Sequence, residues 1–258
     1  MEHFLAIDER MADIGDFIVG RLLPVRQKRQ VGPITFLDHM GPVEIGAGRY
    51  MDVDQHPHIG LATLTYLFEG TIEHRDSLGS VQLVKPGDVG FMTAGQGITH
   101  TERTPAHLRN GKKMPMHGYQ VWIALPLDKE EMAPSFEFVS KSELPVRNEN
   151  GTTLRLIAGN GFGMESPVHV HSPMFIAEVN AEENTTLSLD GKLEGEIAIA
   201  VANGSSAIND KIVDARQMLI SSDTKGMSLD LKAGTRALLL GGKPFAQERY
   251  LLWNFVSS

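Results

Sequence analysis

The sequence predicts an all-β protein of two similar barrels with few, short helices. Three observations predict it. Segments of alternating polarity recur along the chain, Gly, Pro or Asn-Gly interrupts them about every 8–12 residues, and no long amphipathic helical pattern intervenes. In the first half such segments are LATLTYLF from Leu61, SVQLV from Ser80 and YQVWIALP from Tyr119. The best helical candidate is DKEEM, Asp128 to Met132, and Pro126 and Pro134 limit its length. A polar passage from about Asp128 to Asn150 then separates two strand-rich halves. The expected division is an N-terminal metal-binding barrel over 1–130 and a C-terminal, metal-free barrel over 131–258. The second half opens with RLIAG from Arg155 and repeats the rhythm in FIAEVN, TTLSL, EIAIAVANG, MLISS and RALLLGG. The closing YLLWNFVSS from Tyr250 is apolar enough to dock onto a barrel.

Composition narrows the chemistry. With 258 residues, two domains can each bury a core. No apolar run approaches the roughly 20 residues of a spanning helix. The acidic start MEHFLAIDERMADIG lacks the basic, then apolar, profile of a secretory signal, so a cytoplasmic protein without membrane association is expected. The absence of cysteine excludes disulfides, thiolate ligands and a cysteine nucleophile. A net charge of -8 disfavours direct nucleic-acid binding, which calls for a basic surface.

The informative constellation is His56-Pro57-His58 followed by His100-Thr101-Glu102. In a strand, residues i and i+2 share a face, so each pair can aim two ligands into one cavity. Two such strands facing each other across a small barrel would bring four ligands to one point. Imidazole and carboxylate without sulfur suit iron, manganese, nickel, copper or zinc better than calcium or magnesium. One divalent transition metal is expected, Fe(II) first, with Zn, Mn, Ni or Cu as alternatives. Taken alone, a His-x-His pair is a weak signal, more often surface hairpin histidines or hydrogen-bonded core histidines than a metal site; two strand-spaced pairs in the same half, beside glycine-rich turns, strengthen it.

Together with FLDHMGP at Phe36–Pro42, the near-continuous stretch HPHIGLATLTYLFEG, EHRDSLG and PGDVGFMTAGQGITHTE, ending at Glu102, resembles the pirin family of the cupin superfamily. HGYQVWIALP from His117 and WNFVSS from Trp253 extend the resemblance over both halves. It implies two cupin-type jelly-roll barrels packed together, with one metal in the N-terminal barrel. Its ligands fall on His56, His58, His100 and Glu102. The sequence departs from the general cupin pattern at Ala62 and Thr63, where a first-strand glutamate would stand, and Glu102 is the replacement. Many pirins carry Gly-Phe-Glu-Thr where this chain has Gly60-Leu61-Ala62-Thr63.

The resemblance implies a quercetin 2,3-dioxygenase-type reaction, with a flavonol-like aromatic substrate and dioxygen. Glu102 is then the catalytic residue, taking a proton from a phenolic hydroxyl. The alternative is a metal- or redox-responsive regulator that binds a transcription factor or a metabolic enzyme. A purely structural metal is a third option.

Other residues receive plainer readings. His169 and His171 lack a His-x-Glu partner downstream and read as surface or loop residues. Glu73, His74 and Asp76 read as a hairpin with turn-stabilising or solvent roles. Asp38 and His39 match a family segment near the pocket mouth, with a substrate contact or supporting role open. Gln120 and Trp122 alternate on a strand, Trp122 as core. Gly87 reads as hairpin punctuation, Gly95 and Gly97 as shaping the pocket rim, and the methionines as filling irregular interiors.

Overall fold

A computed structural model describes residues 4–15 and 17–258. Among these residues strands dominate, and the helical elements are two 3-10 turns, Ala106–Leu108 and Leu127–Lys129. The second replaces the helix expected over Asp128–Met132. Lys129 N–H donates to Pro126 O and Met132 N–H to Lys129 O, so the segment between the prolines is used up in successive tight turns. None of the helices is long and apolar enough to cross a membrane.

The chain divides into two compact units. One comprises Arg10–Pro24, Thr35–Lys141 and Gln247–Ser258. The other comprises the chain up to Glu9, Val25–Ile34 and Ser142–Ala246. The change of unit in the polar passage therefore comes after Lys141, against a boundary of 130/131 read from the sequence. Three short segments, one of them the C-terminal hairpin, belong to the barrel remote from them in sequence.

The first unit is built from two antiparallel sheets. The larger has seven strands in the order Ser135–Val139, Val89–Thr93, Leu61–Glu69, Met114–Ala124, Ile34–Ile45, Ile18–Leu23 and Arg10–Asp13. The smaller has four, in the order Asp52–His58, Ile98–Arg103, Ile72–Asp76 and Val81–Val84. Alongside hairpin neighbours such as Ile72–Asp76 with Val81–Val84, each sheet pairs strands distant in sequence, Asp52–His58 with Ile98–Arg103 in the small one and Leu61–Glu69 with Met114–Ala124 in the large, which is the crossing connectivity of a jelly roll. Tyr66 and Tyr119, directly paired in register, are fully buried. Met40, Met51 and Met116 join Phe17, Val19, Leu67 and Ile72 in a buried cluster, each such side chain stabilising the fold by about 1.5–3 kcal/mol.

The chain ends on a hairpin, Tyr250–Leu252 with Phe255–Ser257, that belongs to this same unit. It attaches beside the first histidine pair: Ile59 bridges Phe255, and Val256 N–H donates to Ile59 O at 3.0 Å. The approach is close enough to require glycine at position 60. Gly60 has φ +71, and a Cβ there would run into Val256 O.

The second unit repeats the two-sheet plan, with an eight-stranded sheet and a four-stranded one. The repeated sequence segments form its strands Met174–Ala181, Thr185–Ser188, Glu196–Asn203, Gln217–Ser221 and Arg236–Gly242. Its interior is a buried apolar cluster that includes Leu154, Phe162, Phe175, Ile199 and Leu239.

Candidate metal centre

The strands Asp52–His58 and Ile98–Arg103 lie side by side in the four-stranded sheet, antiparallel, with His100 opposite His56 and Ile98 opposite His58. They are neighbours in one sheet rather than strands facing each other across the barrel. Convergence thus follows from register, since directly opposed residues have side chains only about 4.5–5.5 Å apart. On its other side Ile98–Arg103 pairs with Ile72–Asp76, placing His100 opposite Asp76 and Glu102 opposite His74. A register shift between His100 and Glu102 sets Glu102 opposite Val53, the kind of irregularity that re-aims side chains beside active sites.

Ligand atoms of His56, His58 and His100 lie within 4.8 Å of one another. A second group at the same spacing comprises His74, His100 and Glu102. The structure thus brings the three histidines of the sequence motif into one cluster, and Glu102 joins it through the shared member His100. His58, His100, His74 and Glu102 are buried, while His56 is half-buried.

The hydrogen bonds fix which ring nitrogens are free. His56 Nδ1 lies 2.7 Å from Asp54 O, and His58 Nδ1 lies 3.1 Å from Asn254 O. A carbonyl only accepts, so each Nδ1 carries the proton and each Nε2 keeps its lone pair. Nε2 of His58 and Nε2 of His100 are buried with no hydrogen-bond partner. Leaving such a group unsatisfied costs about 1–3 kcal/mol, a cost that a coordinated cation removes. Burial, followed by the proximity of His56, pushes the His58 pKa down to about 3, against a smaller opposing effect of the Asn254 bond. Burial, then His56, His58 and His74, holds His100 well below the ordinary histidine value. Both rings are neutral at pH 7 and able to donate a lone pair to a metal. This donor set fits a nitrogen- and oxygen-bound transition metal.

Glu102 Oε1 accepts a 2.7 Å hydrogen bond from Thr65 Oγ1, which also lies 2.9 Å from Gln120 Oε1. One hydroxyl hydrogen cannot serve two acceptors. The consistent assignment turns the Gln120 amide so that its NH2 donates to Thr65 while Thr65 donates to the carboxylate.

A cavity of about 530 Å³ opens beside the cluster. His56, His58 and Glu102 line it from the small sheet, Phe36, Gln120 and Trp122 from the large one, and Trp253 and Asn254 from the terminal hairpin. Trp122 stacks on Phe36 at 4.0 Å and meets His58 edge-on at 4.8 Å, so it is both packed core and cavity wall. Asp38 also lines the cavity, held by Arg21 through bonds of 2.8 and 2.9 Å. His39 is buried away from it, its Nε2 2.9 Å from that of His117.

Gly95 shapes the approach to the second motif. Its φ is +51, an added Cβ would meet Met132 O, and its carbonyl accepts from Gly60 N–H. His169 and His171 lie between the strands Met164–Glu165 and Met174–Ala181, exposed and half-buried respectively.

His74 is the residue the sequence reading missed. Asp76 does stabilise a turn, accepting from Leu78 N–H and Ser80 N–H. His74, grouped with it as a turn or solvent residue, is instead buried beside His100 and stacked on Phe136 at 4.1 Å. The available signal was His74-x-Asp76, whose i, i+2 spacing matches that of the two motifs already singled out.

Two jelly-roll units, one carrying a buried histidine cluster beside a cavity, define a two-barrel cupin. The chain belongs to the pirin family: the Pirin family model matches residues 17–123 and the Pirin C-terminal cupin domain matches residues 176–258. A pirin-like protein of Caulobacter vibrioides is 43% identical over 98% of this chain and 88% of its own length. The crystal structure of a quercetin 2,3-dioxygenase from Acinetobacter baumannii is 39% identical, with a TM-score of 0.91 over 98% of this chain and 83% of that one. A bacterial pirin from Escherichia coli, solved in complex with nickel(II), is 21% identical with a TM-score of 0.71 over 94% of this chain and 100% of that one, and shows the shared fold alone.

Proposed function

We propose that the protein holds one divalent transition metal on His56, His58, His100 and Glu102 and opens a flavonol-like ring with dioxygen, a quercetin 2,3-dioxygenase-type reaction. The observation that carries this reading is the pair of buried, unpartnered Nε2 atoms of His58 and His100 beside an aromatic-walled cavity. Fe(II) is the proposed ion, with Zn, Mn, Ni and Cu as the other outcomes of metal analysis. The metal belongs to the N-terminal barrel, and the C-terminal barrel, filled with aliphatic and aromatic side chains, holds none. A cytoplasmic location forms part of the same reading, in keeping with a chain without cysteine.

When bound, the metal supplies a Lewis-acid centre with an exchangeable position and, for iron, redox capacity. The residues of the chain do the rest. Phe36 and Trp122 give a flat apolar wall that orients a planar ring and excludes water. Glu102 takes the proton of a phenolic hydroxyl as that group is bound. Thr65, donating to Oε1, holds the carboxylate in place for that transfer.

A second reading, regulation through a protein partner, is favoured by one observation. The terminal hairpin bears Tyr250, Leu252 and Trp253 exposed on its surface, and the adjoining Asn254 carbonyl is tied to His58. A change at the metal would thus reach an apolar surface directly. Metal content of protein purified without added metal, paired with oxygen uptake over several flavonols, separates the readings. Metal-dependent uptake supports the enzyme, whereas metal-replete protein without uptake removes it and leaves the partner role.

A further inference from the structure

Three residues form a chain leading away from the cluster. Asp76 Oδ2 lies 3.0 Å from His74 Nε2, and His74 Nδ1 lies 3.4 Å from His100 Nδ1. The Asp76 and His74 side chains are almost wholly enclosed, with 0% and 5% exposure. Burial alone would raise the Asp76 pKa, but hydrogen bonds from His74, Ser80 and Leu78 outweigh it and hold the carboxyl below its ordinary value. An ionised carboxylate only accepts, so His74 carries its proton on Nε2 and offers a lone pair at Nδ1. That lone pair in turn calls for a proton on His100 Nδ1, which leaves the lone pair of His100 on Nε2, the buried atom with no partner.

We infer that Asp76 and His74 are positioning residues that fix the tautomer and ring orientation of His100, so that His100 Nε2 is ready for a metal. The inference rests on the metal-binding reading above. It adds two residues that the sequence motif does not include, acting through His100. Partners of this kind, beyond the ligands themselves, orient ligating histidines and raise their basicity, and losing one typically lowers metal affinity about 10–100-fold.

Asp76 Oδ1 accepts both turn N–H groups, from Leu78 and Ser80, while Oδ2 faces His74. Asp76→Asn therefore has one favourable orientation, with the amide oxygen kept on the turn and the NH2 turned toward His74. An NH2 group cannot accept, so His74 must move its proton from Nε2 to Nδ1. It then donates to His100 Nδ1, and the single proton of neutral His100 is displaced to Nε2. One substitution thus reverses the chain without removing any ligand. His74→Phe is the complementary change, keeping the stack on Phe136 while deleting both nitrogens.

The test measures full-length, metal-free protein in two ways. Nitrogen-15 NMR of the imidazoles reads the His100 tautomer, and calorimetric titration with Zn(II) or Ni(II) alone reads affinity. The expected results are an Nδ1–H tautomer in the unsubstituted protein, an Nε2–H tautomer in Asp76→Asn, and metal affinity lower by about 10–100-fold in Asp76→Asn and about 10-fold in His74→Phe. An Nε2–H tautomer of His100 in the unsubstituted protein overturns the inference even if neither variant folds. Folded variants that bind metal with unchanged affinity overturn it while leaving the metal site intact. Failure of the unsubstituted protein to bind either ion removes both readings together.

Discussion

His58 donates its Nδ1–H to the carbonyl of Asn254, a residue 196 positions further along the chain. The bond fixes the tautomer of a cluster histidine from the C-terminal hairpin. Only the adjacent Gly60 lets that hairpin approach so closely.

Gly60→Ala should therefore act on the cluster without touching it. The new Cβ meets Val256 O while φ sits in the left-handed region, and the expected loss of stability is about 1–3 kcal/mol. Metal affinity should fall with it, because the displaced hairpin no longer orders His58. Urea denaturation and metal titration of the variant measure the two effects. Unchanged values for both would show that the hairpin does not support the site.

Much of this centre was legible in the sequence, because both motifs lie in strands and i, i+2 spacing maps directly onto one face. The two-barrel rhythm was legible for the same reason. What spacing could not show was strand order. The His56 and His100 strands are neighbours, and the strand carrying His74 flanks the other side of His100. Asp76 also gave a genuine turn signal, which masked a buried neighbour two residues before it. Unit boundaries were less legible, since the exchange of short segments between units depends on long-range pairing such as Leu5 with Ile220, not on local pattern.

The depressed histidine pKa values set a pH dependence for the metal-free protein. The unfolded chain takes up protons near pH 6.5 while folded His58 does so only near pH 3, and folded His100 also lies well below its ordinary value. Their contribution is thus fully present above pH 6.5 and is lost as pH falls toward 3, at up to about 1.4 kcal/mol per pH unit for each ring. Carbon-13 NMR should find both rings neutral at pH 5. Titration of either near pH 6.5 would contradict the burial of these rings with their Nε2 atoms unpartnered.

Thr65→Val isolates the support of the carboxylate. The variant keeps shape but removes the hydroxyl that donates to Glu102 and contacts Gln120, at an expected cost of about 1–3 kcal/mol for the groups left unpaired. Metal content should hold, while flavonol-dependent oxygen uptake falls by about 10²-fold or less, within the range for a proton-transfer group and its support. Glu102→Ala removes one proposed ligand, so metal affinity should fall while His56, His58 and His100 still bind at saturating metal, and turnover of that metal-loaded variant should be abolished. Full turnover in Glu102→Ala would remove its role as base.

The two tryptophans beside the cavity separate packing from substrate contact. Trp122 is buried, stacked on Phe36 and set against His58, so Trp122→Ala should cost about 3–5 kcal/mol and disturb the metal together with the fold. Trp253 lines the same cavity from the hairpin turn but is 64% exposed, with φ at +52. Trp253→Gly removes a large ring from a position where glycine is the less strained residue, so stability should stay within about 0.5 kcal/mol of the original. If the exposed ring covers a bound flavonol, KM should rise several-fold with kcat nearly constant, the mark of binding that is equal in the ground and transition states. A fall in kcat at constant KM would instead assign Trp253 to the chemical step. Unchanged kinetics would leave its exposed ring to the partner surface.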